Sequence, residues 1–225
     1  IQDGKRLLHS VTNYELHKGL YSGHNDNNYF EIAHTIRREF DENGGIYRGM
    51  KLYSFVDNHD VDRIASKLNR EAYLIPVHAL LYFLPGIPSV YYGSEFGISG
   101  KKEGGNDAPL RPALNLKELK KDSPHPELEE WIRELSKIRK KHPACVEGSY
   151  RELVLTNRQY AFCRSSASDY LLVAVNNDDQ DAQIQIPVDQ NSTYTEIRTG
   201  EEYLPENGRM TVTIPACGCV LLERA

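Results

Sequence analysis

Three short apolar runs punctuate the first part of the chain, and each is followed by polar or glycine-rich residues. They lie at residues 8–14, 51–56 and 87–92. Their length and their abrupt polar ends are typical of buried β-strands. We therefore predict three strands in this part of the chain.

Amphipathic helices are predicted around these strands. Residues 29–40 place apolar side chains along one stripe, and residues 63–84 form a longer apolar segment that we expect Pro76 to interrupt. A further helix is predicted over residues 126–141, whereas the polar residues 19–28 are predicted to form a loop. This alternation of strands and helices predicts βα units with a parallel sheet.

The rhythm changes after residue 148, where β-branched and aromatic runs recur at short intervals with no helical pattern between them. These runs lie at residues 153–156, 160–164, 170–176, 182–186, 193–196, 210–214 and 219–223. Turn signals at residues 176–179 and 206–208 predict hairpins. The pattern predicts an antiparallel β-sandwich domain over residues 144–225, after an α/β domain over residues 1–143.

Ionisable side chains follow the second and third predicted strands. Phe-Val-Asp-Asn-His-Asp occupies residues 55–60, and Gly-Ile-Pro-Ser-Val-Tyr-Tyr-Gly-Ser-Glu occupies residues 86–95. Carboxylate and imidazole groups at the carboxyl ends of successive parallel strands are how (β/α) barrels build their active sites. Taken alone, residues 58–60 are equally consistent with a helix N-cap cluster, because Asp and Asn cap helices well.

Together the two motifs resemble those of the α-amylase family of glycoside hydrolases, family 13. The resemblance covers nearly the whole chain, and it implies that the three strands correspond to the sixth, seventh and eighth strands of a (β/α)8 barrel. The implied fold is α/β, with the last three βα units of that barrel followed by an antiparallel β-sandwich domain. The implied activity is retaining hydrolysis of α-1,4 linkages in starch or maltodextrin.

The resemblance also implies roles for individual residues. Asp60 would hold substrate hydroxyls and support the distorted, oxocarbenium-like sugar ring, while His59 would donate a hydrogen bond beside it; these are the predicted catalytic residues. The predicted substrate-binding residues are Asn58, Arg63, Tyr92, Asp107 and Arg111. For Arg63, a salt bridge that fixes Asp60 or Asp62 is an equal alternative to contact with a sugar.

The residues that break the glycosidic bond have no counterpart in these motifs. Retaining enzymes need a nucleophile and an acid/base about 5 Å apart, and in this family they come from the fourth and fifth barrel strands. Asp3, Glu15 and Glu31 precede the first motif, but none has a matching context. We therefore predict a C-terminal portion of the enzyme that is inactive alone. The alternatives are a glucan transferase or isomerase of the same fold, and a non-catalytic carbohydrate-binding or assembly fragment.

Composition limits the remaining function classes. The 225 residues carry a net charge of −5, which gives no cationic surplus for nucleic acid, and no apolar run is long enough to span a bilayer. None of the four cysteines has CxxC spacing, and Cys217 and Cys219 are predicted to fill the core. This cysteine usage favours a reducing compartment such as the cytoplasm. A disulfide between two C-terminal strands is the alternative.

The expected partners are an α-glucan oligosaccharide, which the resemblance implies, and the missing N-terminal part of the barrel. The chain begins at Ile1 rather than Met, so we expect a piece of a longer polypeptide. No cofactor is assigned. Calcium in the parent enzyme is left open, because no loop has the alternating acidic spacing of a calcium site.

Overall fold

Three β-sheets organise the chain, of which the computed structural model describes residues 8–225; Asp3 lies outside the described residues. The helices are α1 (Tyr14–Asn25), α2 (Tyr29–Phe40), α3 (Ile64–Lys67), α4 (Leu74–Phe83), α5 (Leu116–Asp122), α6 (Pro126–Lys141) and α7 (Ala144–Glu147). The strands are β1 (Tyr53–Phe55), β2 (Ile87–Ser89), β3 (Ser149–Leu155), β4 (Gln159–Ser165), β5 (Tyr170–Asn176), β6 (Ala182–Pro187), β7 (Tyr194–Glu196), β8 (Glu202–Tyr203), β9 (Arg209–Ile214) and β10 (Cys219–Arg224).

The first sheet is a parallel pair of short strands. β1 lies beside β2, with Tyr53 opposite Ile87 and Phe55 opposite Ser89. Thr12 adds a single parallel bridge to Tyr53. The second and third predicted strands are therefore confirmed in shorter form, and their parallel direction agrees with the predicted βα units. Two strands and a bridge do not show a barrel, so the barrel stays a prediction.

The predicted strand at residues 8–14 is reduced to the single parallel bridge of Thr12. The predicted loop at residues 19–28 is wrong, because α1 extends to Asn25. Asn13 starts the helix, with its side-chain oxygen accepting a hydrogen bond from the Leu16 N–H at 2.9 Å. Gly23, read from sequence as a loop residue, packs against α2: an added Cβ would lie 3.0 Å from Cγ1 of Ile32. The glycine allows close helix packing here and does not mark a loop.

The predicted long helix breaks earlier than expected. α3 ends at Lys67 and α4 begins at Leu74. Pro76 therefore lies in the first turn of α4, where a missing N–H leaves no intrahelical bond unmade, and it does not interrupt the helix. α2 and α6 begin and end where the apolar pattern predicts.

The antiparallel part confirms every predicted C-terminal strand and adds the two-residue β8. The larger sheet has the order β3-β4-β5-β10-β7-β8, while β6 pairs only with β9 among the described strands. The hairpin predicted at residues 176–179 is wrong, since β5 and β6 lie in different sheets. The hairpin turn predicted at 206–208 is confirmed locally, with positive φ at Asn207 and Gly208 and an antiparallel bridge between Glu206 and Arg209. It leads from the large sheet to the small one.

Both faces of the large sheet are covered. Along β5, Leu171, Val173 and Val175 face the cluster that includes the helices, while Leu172 and Ala174 face the side chains of β6 and β9. The first cluster also contains most of α4, so residues on both sides of position 144 share one core. The domain division at residue 144 stays a prediction.

The structure leaves no disulfide among the cysteines and no membrane-spanning helix in the part it describes. Cys145, Cys163, Cys217 and Cys219 are free and buried, so the disulfide alternative is wrong and the core-filling prediction is confirmed. Within residues 8–225, no helix has both the length and the apolar character needed to cross a membrane.

Glu39 is a buried carboxyl group that joins α2 to the start of α1. Its Oε2 accepts a hydrogen bond from Nδ2 of Asn13 at 2.8 Å, and its Oε1 has no hydrogen-bond partner among the described residues. Burial raises the pKa of Glu39 from its ordinary value of 4.5 to about 7. The group is thus protonated in the folded state at pH values where the unfolded chain ionises it.

We expect the free energy of unfolding to depend on pH through the protonation of Glu39. The folded state binds it more tightly, so the contribution of Glu39 is fully present below about pH 4.5 and is lost as the pH rises to about 7. Glu39→Gln keeps an acceptor for Asn13 and carries no charge. It should therefore remove a decrease of up to about 3 kcal/mol in the free energy of unfolding across this interval.

Urea unfolding of both proteins at about pH 5 and about pH 7 measures the difference. The gain from Glu39→Gln should be larger at the higher pH. Exposed Glu42→Gln is the matched control and should change stability equally at both pH values. An equal effect of Glu39→Gln at both pH values would contradict the raised pKa.

Candidate active site

The two sequence motifs meet at one edge of the parallel pair. Residues 58–60 follow the carboxyl end of β1, and Tyr91 and Tyr92 follow the carboxyl end of β2. The His59 and Tyr91 rings lie 6.3 Å apart, and the Tyr91 and Tyr92 rings 4.6 Å apart, measured between centroids. Parallel strands bring their carboxyl ends to the same edge, which is why residues distant in sequence gather here.

Asp60 is a half-exposed carboxylate held from two sides. Nε2 of His59 lies 3.3 Å from its Oδ2, and Nη2 of Arg111 lies 3.2 Å from its Oδ1. Asn58 shapes the turn below it, with Oδ1 accepting the Asp60 N–H at 2.8 Å. About half of the Asp60 side chain faces solvent, so its remaining lone pairs are free to accept hydrogen bonds.

Arg111 connects this carboxylate to a second one. Its Nε donates to the His59 carbonyl at 3.1 Å, and its Nη2 also contacts Oδ2 of Asp107 at 3.3 Å. Nζ of Lys102 lies 2.8 Å from Oδ1 of Asp107 and, by this contact, lowers the Asp107 pKa. Sequence reasoning missed Lys102, because it stands in a polar glycine-rich loop with no motif around it.

Arg63 does not face the exposed site. The side chain is fully buried, with Nη1 donating to the Tyr92 carbonyl at 2.7 Å and Nη2 to the Leu110 carbonyl at 2.8 Å. This burial contradicts the prediction that Arg63 binds substrate. The alternative ion pair is wrong as well, because its partners are backbone carbonyls and Ser94 instead of Asp60 or Asp62.

Asp57 is also buried, and its role in the site was not predicted from the sequence. Its Oδ1 accepts a hydrogen bond from the Ser94 hydroxyl at 2.6 Å, and its Oδ2 accepts one from the Ile64 N–H at 2.8 Å. Desolvation raises the pKa of Asp57, while these two hydrogen bonds oppose the rise. Asp57 belongs to the first motif and Ser94 to the second, so this contact links them directly.

The two tyrosines of the second motif differ in exposure. Tyr91 is half-buried, with its ring centroid 4.2 Å from the Arg63 guanidinium carbon. Tyr92 is exposed, and its hydroxyl donates to the Pro112 carbonyl at 3.2 Å. An exposed aromatic face beside polar groups suits a pyranose ring.

Two glycines of the second motif are required by the backbone. Gly86 has φ 131°, and a Cβ there would lie 2.6 Å from Oγ of Ser54 on β1. Gly93 has φ 87°, and a Cβ there would lie 2.4 Å from Cδ1 of Ile98. Gly86 allows β2 to begin beside β1, and Gly93 allows the chain to turn directly after the tyrosine pair.

The described residues contain no cluster of three or more His, Cys, Asp or Glu side chains that could hold a metal ion. The carboxylates of Asp60 and Asp107 are joined through Arg111, and a guanidinium at that place opposes cation binding. Calcium elsewhere in a parent enzyme stays open.

We expect Asp57→Asn to destabilise the protein by about 2–3 kcal/mol. Both carboxylate oxygens face donors, and an amide can accept with only one of them, which leaves a buried polar group unpaired. Asp62→Asn is the control, because its half-exposed oxygen accepts only the Lys102 N–H and an amide oxygen can still do so. Chemical denaturation measures both variants, and equal losses would contradict this role for Asp57.

A family profile and a sequenced relative both match this chain. Residues 150–221 match the maltogenic amylase C-terminal domain. A cyclomaltodextrinase from Bacillus sp. is 29% identical over 132 residues, which are 56% of this chain and 22% of that protein.

Solved structures show the same fold. AmyP in complex with maltose superposes with a TM-score of 0.82 at 16% identity, covering 98% of this chain and 50% of that one. The cyclomaltodextrin glucanotransferase CldA gives a TM-score of 0.77 at 23% identity, covering 95% and 44%. The chain therefore spans at most about half the length of these relatives. The resemblance to the α-amylase family of glycoside hydrolases, family 13, is thus confirmed at two levels: residues 150–221 match the C-terminal domain of maltogenic amylases, and nearly the whole chain shares the fold of solved α-amylases.

Proposed function

We propose that this chain is the C-terminal portion of a retaining α-glucan hydrolase acting on α-1,4 linkages of starch or maltodextrin. Residues 1–143 would supply the last βα units of its barrel, and residues 144–225 its β-sandwich domain. The observation that carries the proposal is the Asp60 carboxylate, which is half exposed at the carboxyl edge of two parallel strands and fixed by Arg111 and His59. The neighbouring AmyP structure contains maltose.

The geometry suits hydrogen bonding to a sugar. Each oxygen of Asp60 has one protein contact, which sets the orientation of the carboxylate and leaves lone pairs for two hydroxyl groups. His59 can donate to a third. Such bonds stabilise a flattened sugar ring most when they strengthen in the transition state. Tyr92 offers its exposed ring as a stacking surface, while Asn58 fixes the turn.

This site does not supply the nucleophile and the general acid that break the glycosidic bond. Asp107 is the carboxyl group that Arg111 joins to Asp60, and it is unsuited as a general acid, because contact with Lys102 lowers its pKa. Asp57 is buried and committed to Ser94 and Ile64. In this proposal the nucleophile and the acid come from the missing N-terminal part of the barrel, and the chain alone is inactive.

We expect no hydrolysis of a chromogenic maltooligosaccharide by this chain or by Asp60→Asn. We also expect weak binding of maltotriose, with Kd in the millimolar range because the cleft is incomplete. NMR titration should show shifts at the Asn58 side chain and the Asp60 amide. Asp60→Asn should weaken binding about tenfold, since it removes a charged acceptor.

Asp179→Asn is the matched control, because it makes the same charge change at an exposed carboxyl group outside the site. Its affinity should equal that of the wild type. Turnover by the chain that Asp60→Asn abolishes would mean that the chain or its oligomer contains a nucleophile and an acid. Absence of any maltotriose shift at the site would argue against Asp60 as a glucan-binding residue.

A glucan transferase of the same fold is the second candidate, because one of the matching structures is a cyclomaltodextrin glucanotransferase. Hydrolysis and transfer share the glycosyl-enzyme step and differ in whether water or a sugar receives the glycosyl unit. A longer polypeptide with a complete barrel separates them: analysis of its products from maltooligosaccharides should show shorter chains for a hydrolase. Longer or cyclic products would support the transferase.

A further inference from the structure

We infer that Arg63 is a positioning residue, which fixes the segment 107–111 and the tyrosine pair against the Asp60 turn so that Arg111 reaches Asp60. Its consequence for glucan binding rests on the proposed function. The placement itself rests on contacts of this chain alone.

One buried guanidinium holds two loops. Nη1 of Arg63 donates to the Tyr92 carbonyl at 2.7 Å and to Oγ of Ser94 at 3.3 Å, and Nη2 donates to the Leu110 carbonyl at 2.8 Å. The loop after β2 and the segment before Arg111 are therefore set at a fixed distance from each other. A guanidinium is a rigid planar fork, so moving one carbonyl requires breaking its bond or moving the other.

The backbone of Arg63 secures a third segment. Its N–H donates to the Gly100 carbonyl at 2.9 Å, and the Gly100 N–H donates to Oγ of Ser66 at 2.8 Å. A Cβ on Gly100 would lie 2.5 Å from the Pro109 carbonyl oxygen, which shows how closely the two loops approach. Arg63 thus lies where three chain segments converge beneath the exposed site.

The link from Arg63 to Asp60 runs through one peptide unit. The Leu110 carbonyl that Arg63 binds belongs to the peptide group joining Leu110 to Arg111. Fixing this group fixes the Cα of Arg111, whose side chain then contacts the His59 carbonyl at 3.1 Å and Asp60 at 3.2 Å. Arg63 itself is fully buried and touches neither Asp60 nor solvent. It acts by setting the direction from which Arg111 approaches.

The fork explains why arginine occupies this position. A lysine ammonium has a similar charge but is a point donor on a flexible stem, and it cannot bind both carbonyls in fixed directions. The Tyr91 ring also lies 4.2 Å from the guanidinium carbon, a stacking contact that a lysine would reproduce poorly. Arg63→Lys therefore removes the geometry and keeps the charge.

The test compares Arg63→Lys with wild-type chain by hydrogen exchange and NMR. We expect the Leu110 and Arg111 amides and the Arg111 Nε–H to exchange with solvent about tenfold faster in the variant, because loss of a hydrogen bond to a charged donor releases the segment. Amides of β5 and β10 should be unchanged. Arg164→Lys is the matched control, since Arg164 is also buried and donates to three carbonyls, at Phe83, Gly148 and Ser149. It should leave the exchange of Arg111 unaltered.

Maltotriose affinity gives the second readout. If Arg63 positions the site, Arg63→Lys should weaken binding about fivefold, while Arg164→Lys should not. Unchanged exchange at Arg111 would overturn the inference whatever the affinity. Faster exchange with unchanged maltotriose affinity would show that Arg63 stabilises the fold without positioning the site, and it would overturn the inference as well. Faster exchange in a chain whose wild type binds no maltotriose would instead refute the proposed function and leave the placement intact.

A second variant keeps the test decisive if Arg63→Lys does not fold. Ser94→Ala removes a contact of Arg63 and a donor to Asp57. The Arg63 guanidinium stays in place, so no lysine is buried at position 63. It should accelerate exchange at the same Arg111 protons, by a smaller factor. No acceleration in a folded Ser94→Ala protein would overturn the inference.

Discussion

The hydrogen bond between Ser94 and Asp57 is the constraint on which the site depends. A buried carboxylate costs several kcal/mol unless its oxygens are paired. Here one partner is the N–H of Ile64 at the start of α3, and the other is Ser94 in the segment after β2. Ser94 also accepts a hydrogen bond from Arg63, whose guanidinium binds further backbone carbonyls. Neither motif can change position without leaving a buried polar atom unpaired, so the two motifs behave as one unit.

Two carboxylates three positions apart in sequence therefore have opposite roles. Asp57 is buried and spends its oxygens on the protein, whereas Asp60 is half exposed and keeps lone pairs for a ligand. Asp57 supports the role proposed for Asp60, because a carboxylate that binds hydroxyl groups at fixed distances needs a fixed backbone next to it. A motif read only for its ionisable residues does not distinguish these roles.

Helices and strands with a regular apolar periodicity could be predicted from the sequence. Features that depend on contacts between different elements could not. α2, α6 and the C-terminal strands follow from periodicity alone. α1 was missed because residues 19–28 were read as a polar loop, although Gly23 within them provides room for Ile32 of α2. The burial of Arg63 was also out of reach, since its carbonyl partners at Tyr92 and Leu110 carry no mark in the sequence. The cluster around Asp60 was predictable, because both motifs end strands that lie side by side.

The chain has one well-covered end and one open end. The large sheet is buried on both faces and shares its core with α4, so the apolar side chains of this part are covered. At the parallel pair, Tyr53 and Ile87 are each about 45% exposed, and β2 has one strand partner among residues 8–225. Exposed apolar side chains beside an open strand edge need a covering element. The candidate site lies at this open end, so in the proposed enzyme the element that covers β2 would also lie close to Asp60.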